Sequence, residues 1–384
     1  MTSAAPAFCL ASRNPLVDGL KGLACAAIVW HHLAFYGPMS DSAQALAPEL
    51  VRWLYDNARM AVQVFLVLGG YLAAAQLAPQ GRARFGGAAQ PIARRCMRLA
   101  VPYAVALVLA VLAAALVRPW LDHASVPEEP TLAQLLANAL MLQDIAGEDA
   151  LSAGVWYVAI DLQLFALTVL LLAGVRALPG LAPRQSAVLL QALVVAGTAA
   201  SLWVFNRMPE LDMWALYFLG AYGLGLLAYW AAHSDRPAGW WAVLLVLGAV
   251  ALSVDFRPRI ALAWALALGL AWAMRQPKLQ HNWLALPGLP PLQALQTVGR
   301  MSYSVFLVHF PVCLLVNALV HRCWPGQPWP NALGMLAAFA LALVAGRELY
   351  QRVERHVPSW TQTLRWQAGL VGAGLLAERL GNWL

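Results

Sequence analysis

The chain has 384 residues, of which 61% are hydrophobic and only 11% charged. Soluble domains carry about 25% charged residues, so this composition excludes a soluble globular protein and describes one with many membrane spans. The net charge of +7 does not describe a nucleic-acid surface, because the basic residues are scattered at the ends of apolar segments, where the positive-inside rule puts them.

In chain order, ten apolar segments of spanning length are predicted, at about 17–36, 58–78, 97–118, 154–175, 186–205, 212–231, 239–255, 258–274, 298–320 and 331–350. The fold class is an all-α integral membrane protein, a bundle of about ten transmembrane helices. Residues 1–360 form one membrane domain. The stretch 361–384 mixes Arg365, Glu378 and Arg379 with leucines and tryptophans, and reads as an interfacial helix, not an eleventh span. With the N-terminus inside, 18 of the 25 Lys and Arg fall on the inner side and 7 on the outer side. Both termini are therefore expected in the cytoplasm, with the protein in a bacterial inner membrane.

The longest loop, 119–153, then lies outside. It holds Asp122, Glu128, Glu129, Asp144, Glu148 and Asp149 and no Lys or Arg. Within it TLAQLLANALMLQ predicts an extracytoplasmic amphipathic helix capped by Thr131, with Leu132, Leu135, Leu136, Ala139 and Leu140 on its apolar face. Such a helix would roof something. The five cysteines, Cys9, Cys25, Cys96, Cys313 and Cys323, are odd in number and show no CxxC spacing. That argues against a disulfide framework and against a metal site.

Candidate functional residues are the ionisable groups inside apolar spans. Each costs about 2.5–3.5 kcal/mol at a helix centre, so its presence points to use. The first span carries Asp18, Lys21, His31 and His32. Lys21 and His32 are eleven residues apart, three helical turns plus roughly 20°, so they share one face about 16 Å apart along the axis. His32 suits acid/base work near neutral pH. His31 points about 100° away and reads as a packing residue. Asp161 lies inside the fourth span, and Arg94, Arg95 and Arg98 precede the third. Structural alternatives stand beside each. His32 could hydrogen-bond a neighbouring helix, Lys21 could snorkel or pair with Asp18, the arginines could be topology anchors, and His309 is as readily structural as functional. If the functional reading holds, a continuous polar cavity should run from the arginines past Lys21 to His32, walled by Asp161, Tyr157, Ser302 and Tyr303.

Several runs occur in a telling order. Asp18-Gly19-Leu20-Lys21-Gly22 is followed by His32, with ten residues between Lys21 and His32. Ala61-Val62-Gln63-Val64-Phe65-Leu66-Val67-Leu68-Gly69-Gly70-Tyr71-Leu72 forms the second span. Then come Arg94-Arg95-Cys96-Met97-Arg98 with Pro102-Tyr103, Trp156 to Asp161, Gly299-Arg300-Met301-Ser302-Tyr303-Ser304 leading to His309 and Pro311, and Glu354-Arg355. Together these resemble the acyltransferase 3 family of integral-membrane acyltransferases. Lys21 stands where that family has arginine, keeping charge but losing the bidentate fork, and Gln63 stands where an acidic residue is usual.

The resemblance implies a membrane acyltransferase moving an acyl group, acetyl in the first instance, from cytoplasmic acyl-CoA to a hydroxyl of an envelope glycan or lipid-linked sugar outside. His32 and Asp161 would be catalytic. Lys21, Arg94, Arg95 and Arg98 would hold the donor's phosphates, and Tyr157, Ser302, Tyr303 and His309 would contact the acceptor. Expected partners are membrane lipids, the glycan acceptor and a glycan-synthesis complex, with no nucleic acid. The residues alone leave another class open, a transporter or flippase using His32, Lys21 and Asp161 as a relay.

Overall fold

The computed structural model describes residues 14–276 and 290–381, and among them all regular structure is helical. Helix starts are written into the sequence. Proline occupies the first turn of α1 (Pro15–Phe35), α2 (Pro38–Ala43) and α3 (Pro48–Asn57), where its missing N–H has no partner to lose. Asn14 caps α1 by accepting from the backbone N–H groups of Leu16 and Val17 at 2.9 and 3.4 Å. The chain continues through α4 (Val62–Leu77), α5 (Ala89–Val117), α6 (Leu132–Ala139), α7 (Gln143–Ala146), α8 (Trp156–Ala177), α9 (Pro183–Trp203), α10 (Ala215–His233), α11 (Pro237–Val254) and α12 (Pro258–Met274). It closes with α13 (Pro290–Arg300), α14 (Ser302–Cys323), α15 (Pro328–Leu349), a π-helical turn at Tyr350–Glu354, and α16 (Trp360–Gly381).

Eight described helices are long and apolar enough to cross a membrane. The two other predicted segments are helical as well. One is α12, at 17 residues. The other is α1, 21 residues long, whose Asp18, Lys21, His31 and His32 dilute its apolar character. The predicted 298–320 segment divides at Met301 into the end of α13 and the start of α14. Of the basic residues assigned to the inner side, Arg13 and Lys278 lie outside the described residues, as does Cys9 among the cysteines.

Two reciprocal glycine contacts hold the bundle together. A Cβ on Gly22 would run into the Leu295 carbonyl, and one on Gly299 into the Asp18 carbonyl, so α1 and α13 cross backbone to backbone. Gly70 meets the Tyr222 carbonyl and Gly225 the Val67 carbonyl at the α4–α10 crossing in the same way. Lipid gives helices no hydrophobic reason to associate, so close backbone approach at small residues supplies the dispersion contact instead.

The outer loop departs from expectation. Thr131 caps α6 by accepting from Gln134 N at 3.1 Å, as the sequence predicts. The buried side of α6, however, is Leu135, Ala137, Asn138 and Ala139, while Leu132, Leu136 and Leu140 are 46–66% exposed. The apolar stripe is too wide to be buried whole. Asn138 decides which half turns inward, because its amide donates to the Gln134 and Asp149 carbonyls and accepts from Leu151 N.

The last described helix packs on the bundle. Leu370 and Ala377 of α16 are fully buried in one cluster with Leu107 and Val111 of α5 and Leu135 of α6, and a Cβ on Gly374 would strike Leu135. α16 therefore packs against both α5 and α6.

Gly299→Val should force α1 and α13 apart and lower stability by about 1–3 kcal/mol, the usual cost of overpacking. Gly86, with nothing within 4 Å of an added Cβ, is the control. Thermal unfolding of both variants in detergent checks this, with Gly86→Ala expected to melt like the parent.

Candidate active site

His32, in the last turn of α1, stacks on His309 of α14 with ring centroids 4.7 Å apart and planes 10° apart. Nδ1 of His32 lies 2.6 Å from Nε2 of His309, and Nδ1 of His309 lies 2.5 Å from the Phe306 carbonyl. A carbonyl only accepts, so His309 carries its proton on Nδ1. In the neutral ring its Nε2 must then accept, and His32 donates from Nδ1. The proton-free nitrogen of the pair is Nε2 of His32. Gly154 packs beside it at φ +79, where a Cβ would lie 3.2 Å from Cε1 of His32 and 2.9 Å from Cζ of Phe306. Only glycine meets both the dihedral and the space. His31 instead donates to the Leu54 carbonyl at 3.1 Å and ties α1 to α3.

Below, Arg95 of α5 donates from Nε and Nη2 to one carboxylate oxygen of Asp161 at 3.1 and 2.5 Å, and its guanidinium lies 5.4 Å from the Phe165 ring centroid. Glu354 reaches from the π-helical turn to the first turn of α14. It accepts from Ser304 N at 3.1 Å and Ser304 Oγ at 2.6 Å, a helix cap supplied from far along the chain. The Tyr303 hydroxyl donates to the Leu99 carbonyl at 2.9 Å, and the Ser302 carbonyl accepts from the Cys25 thiol at 3.5 Å. Among the described residues Lys21 forms no ion pair.

These residues line two cavities, not the single continuous one expected. The inner cavity, about 370 Å³, is walled by Lys21, Arg95, Arg98, Asp161, Arg300, Ser302, Tyr303 and Glu354. The outer, about 1680 Å³, holds His31, His32, Gln63 and Ser152 and is overhung by Asp122, Glu128, Glu129, Glu148 and Asp149 of the 119–153 loop. Tyr157 and Phe306 are common to both walls. Four cations face two carboxylates inside, whereas carboxylates outnumber the arginines Arg59, Arg257 and Arg259 outside. Oε1 of Gln63 and Oγ of Ser152 are buried with no hydrogen-bond partner among the described residues.

The structure thus joins His32 to His309, and Asp161 to Arg95. It does not join Asp161 to His32, since they line different cavities. Arg94 is exposed and outside both walls, because Arg95 and Arg98 are three residues apart on the side of α5 that faces inward. Phe306, Gly154, Arg300 and the capping role of Glu354 escape sequence reasoning. The visible signals were Gly154 just ahead of the Trp156–Asp161 run and the runs that contain Arg300 and Glu354.

Helices crossing on paired glycines, with ionisable groups gathered around two internal cavities, define a polytopic membrane protein. A family model described as an acyltransferase domain matches residues 14–347. The chain therefore belongs to the acyltransferase 3 family and is a multi-pass membrane acyltransferase. The matched region contains His32, His309, Lys21, Arg95 and Asp161, and stops just short of Glu354. No curated protein and no solved structure matches the chain.

Glu354→Ala should cost about 1 kcal/mol, the usual loss of a helix cap, and Ser304→Ala added to it should cost less than Ser304→Ala alone. Equal and additive losses in thermal unfolding would mean that the two residues do not act as one contact.

Proposed function

We propose that the protein moves an acyl group, acetyl in the first instance, from cytoplasmic acyl-CoA to a hydroxyl of an envelope glycan or lipid-linked sugar on the far side of a bacterial inner membrane. The observation that carries this reading is the hydrogen-bond chain from His32 through His309 to the Phe306 carbonyl. It leaves a bare imidazole nitrogen on a residue that lines the outer cavity, against the wall of a cationic inner one.

The inner cavity takes the donor. Lys21, Arg98 and Arg300 are the cations that meet its phosphates, with Arg94 one residue from Arg95 on the exposed side of α5. Asp161 holds Arg95 by two hydrogen bonds and acts as a positioning residue. Tyr157, Ser302 and Tyr303 shape the wall along which the thioester lies. About 16 Å of α1 separates Lys21 from His32, so the phosphates stay at the inner mouth while the pantetheine arm extends upward.

The outer cavity takes the acceptor. Gln63 and Ser152 offer it buried oxygens without other partners, suited to sugar hydroxyls. The excess of carboxylates there repels the anionic donor and admits a neutral one. Nε2 of His32 removes the proton from the acceptor hydroxyl, whose oxygen attacks the thioester carbonyl. The C–O bond forms, the C–S bond breaks, and the proton passes to the departing thiolate. His309 fixes the tautomer that makes this possible. The N-terminus is cytoplasmic, and lipids and a glycan-synthesis complex are the surroundings.

Mass analysis of surface glycans from cells with and without the protein tests the reading directly. His32→Ala should lower transfer by 100-fold or more, the usual range for losing a positioned base being about 10²–10⁴. His31→Ala should keep most activity. Lys21→Ala should raise the donor KM about tenfold, and Lys21→Arg should restore it. Equal losses in the two histidine variants at equal expression would reduce the pair to a structural role.

A further inference from the structure

If the donor enters from one cavity and the acceptor from the other, the acyl group must pass the wall between them. That wall is small and specific. Tyr157 and Phe306 are the two residues lining both cavities, and their rings meet edge to face with centroids 6.0 Å apart. Phe65, on the inner side, backs Tyr157 at 6.0 Å. Phe306 is held from the other direction. Gly154 lies against its ring tip, its centroid is 5.9 Å from that of His309, and its own carbonyl receives the His309 proton.

Phe306 therefore has little freedom to withdraw. Swinging it outward drives it into Gly154 and His32, and shifting its backbone breaks the hydrogen bond that sets the His32 tautomer. The passage must open by small rotations of the Tyr157 ring. A two-carbon acyl group needs such a slit and no more, whereas a longer chain needs room on both sides of it at once. We propose, building on the donor and acceptor reading above, that Tyr157 and Phe306 form an aromatic septum that selects the length of the transferred acyl group and restricts it to short chains. Neither residue takes part in the proton transfer. They govern which thioester carbonyl comes within reach of the attacking oxygen.

The experiment uses the full-length protein in vesicles prepared from membranes of the expressing cells, with acceptor in place. Acetyl-, butyryl- and octanoyl-CoA, each labelled on the acyl group, are supplied in turn, and label transferred out of the CoA fraction is counted. The parent should transfer acetyl and discriminate strongly against octanoyl. Phe306→Ala and Tyr157→Ala should each raise the octanoyl-to-acetyl ratio about tenfold or more, within the range expected when a pocket gains several methylenes of room. Phe306→Leu, a milder change that protects folding, should shift the ratio toward butyryl first. A parent that transfers octanoyl as readily as acetyl overturns the septum while leaving the acyl-transfer reading intact. So does an unchanged ratio in variants that still transfer acetyl. Absence of transfer from every CoA thioester by the parent overturns the donor reading, and the septum with it.

Discussion

Hydrocarbon leaves an ionisable group two options, a partner or a cavity, and the arrangement of this bundle follows from how each such group is settled. Arg95 and Asp161 neutralise one another across α5 and α8. Glu354 finds the unsatisfied first turn of α14. His32 and His309 share a proton between α1 and α14. Lys21 faces a cavity and, among the described residues, forms no ion pair. Each contact joins helices distant in sequence, and all are compatible only because glycine pairs let the backbones approach closely enough. The motifs of the two chain ends are thus one object: Gly22 and Lys21 belong to the first run, Gly299 and His309 to the late one, and the fold closes them on each other.

The two cavities carry opposite electrostatic character on either side of one aromatic contact. A charge gradient of this kind does thermodynamic work before any chemistry, because it makes each compartment selective for what may rest in it. Hydrogen-bond geometry then adds direction. The sequence of carbonyl, imidazole and imidazole runs one way only, from Phe306 outward to Nε2 of His32.

The sequence made the helices legible because spanning length and apolar composition are local properties, and the cap at Thr131 was readable for the same reason. The shared face of Lys21 and His32 followed from helical geometry alone. What could not be read were properties of pairs. Phe306 is one phenylalanine in an apolar run, and nothing local marks it as the wall between two cavities. Asp161 looked like an unspent acid until Arg95 was found beside it. The inward half of α6 was chosen by Asn138, through the Asp149 carbonyl eleven residues away, and hydrophobic periodicity favoured both halves equally. The path of α16 was hidden by its mixed composition, which suits an interface helix as well as one packed against α5 and α6.

That last packing bears on how the protein is made. The roof over the outer cavity rests on a helix made long after it, since Leu135 of α6 is seated against Gly374. Chains are assembled from the N-terminus as they are synthesised, so His32 and the 119–153 loop are in the membrane long before their support exists. Until α16 is made, the loop lacks that contact. A chain truncated before α16 would keep His32, His309, Lys21 and Arg95 and still lack the support under Leu135, so the roof depends on a segment remote in sequence from everything it covers.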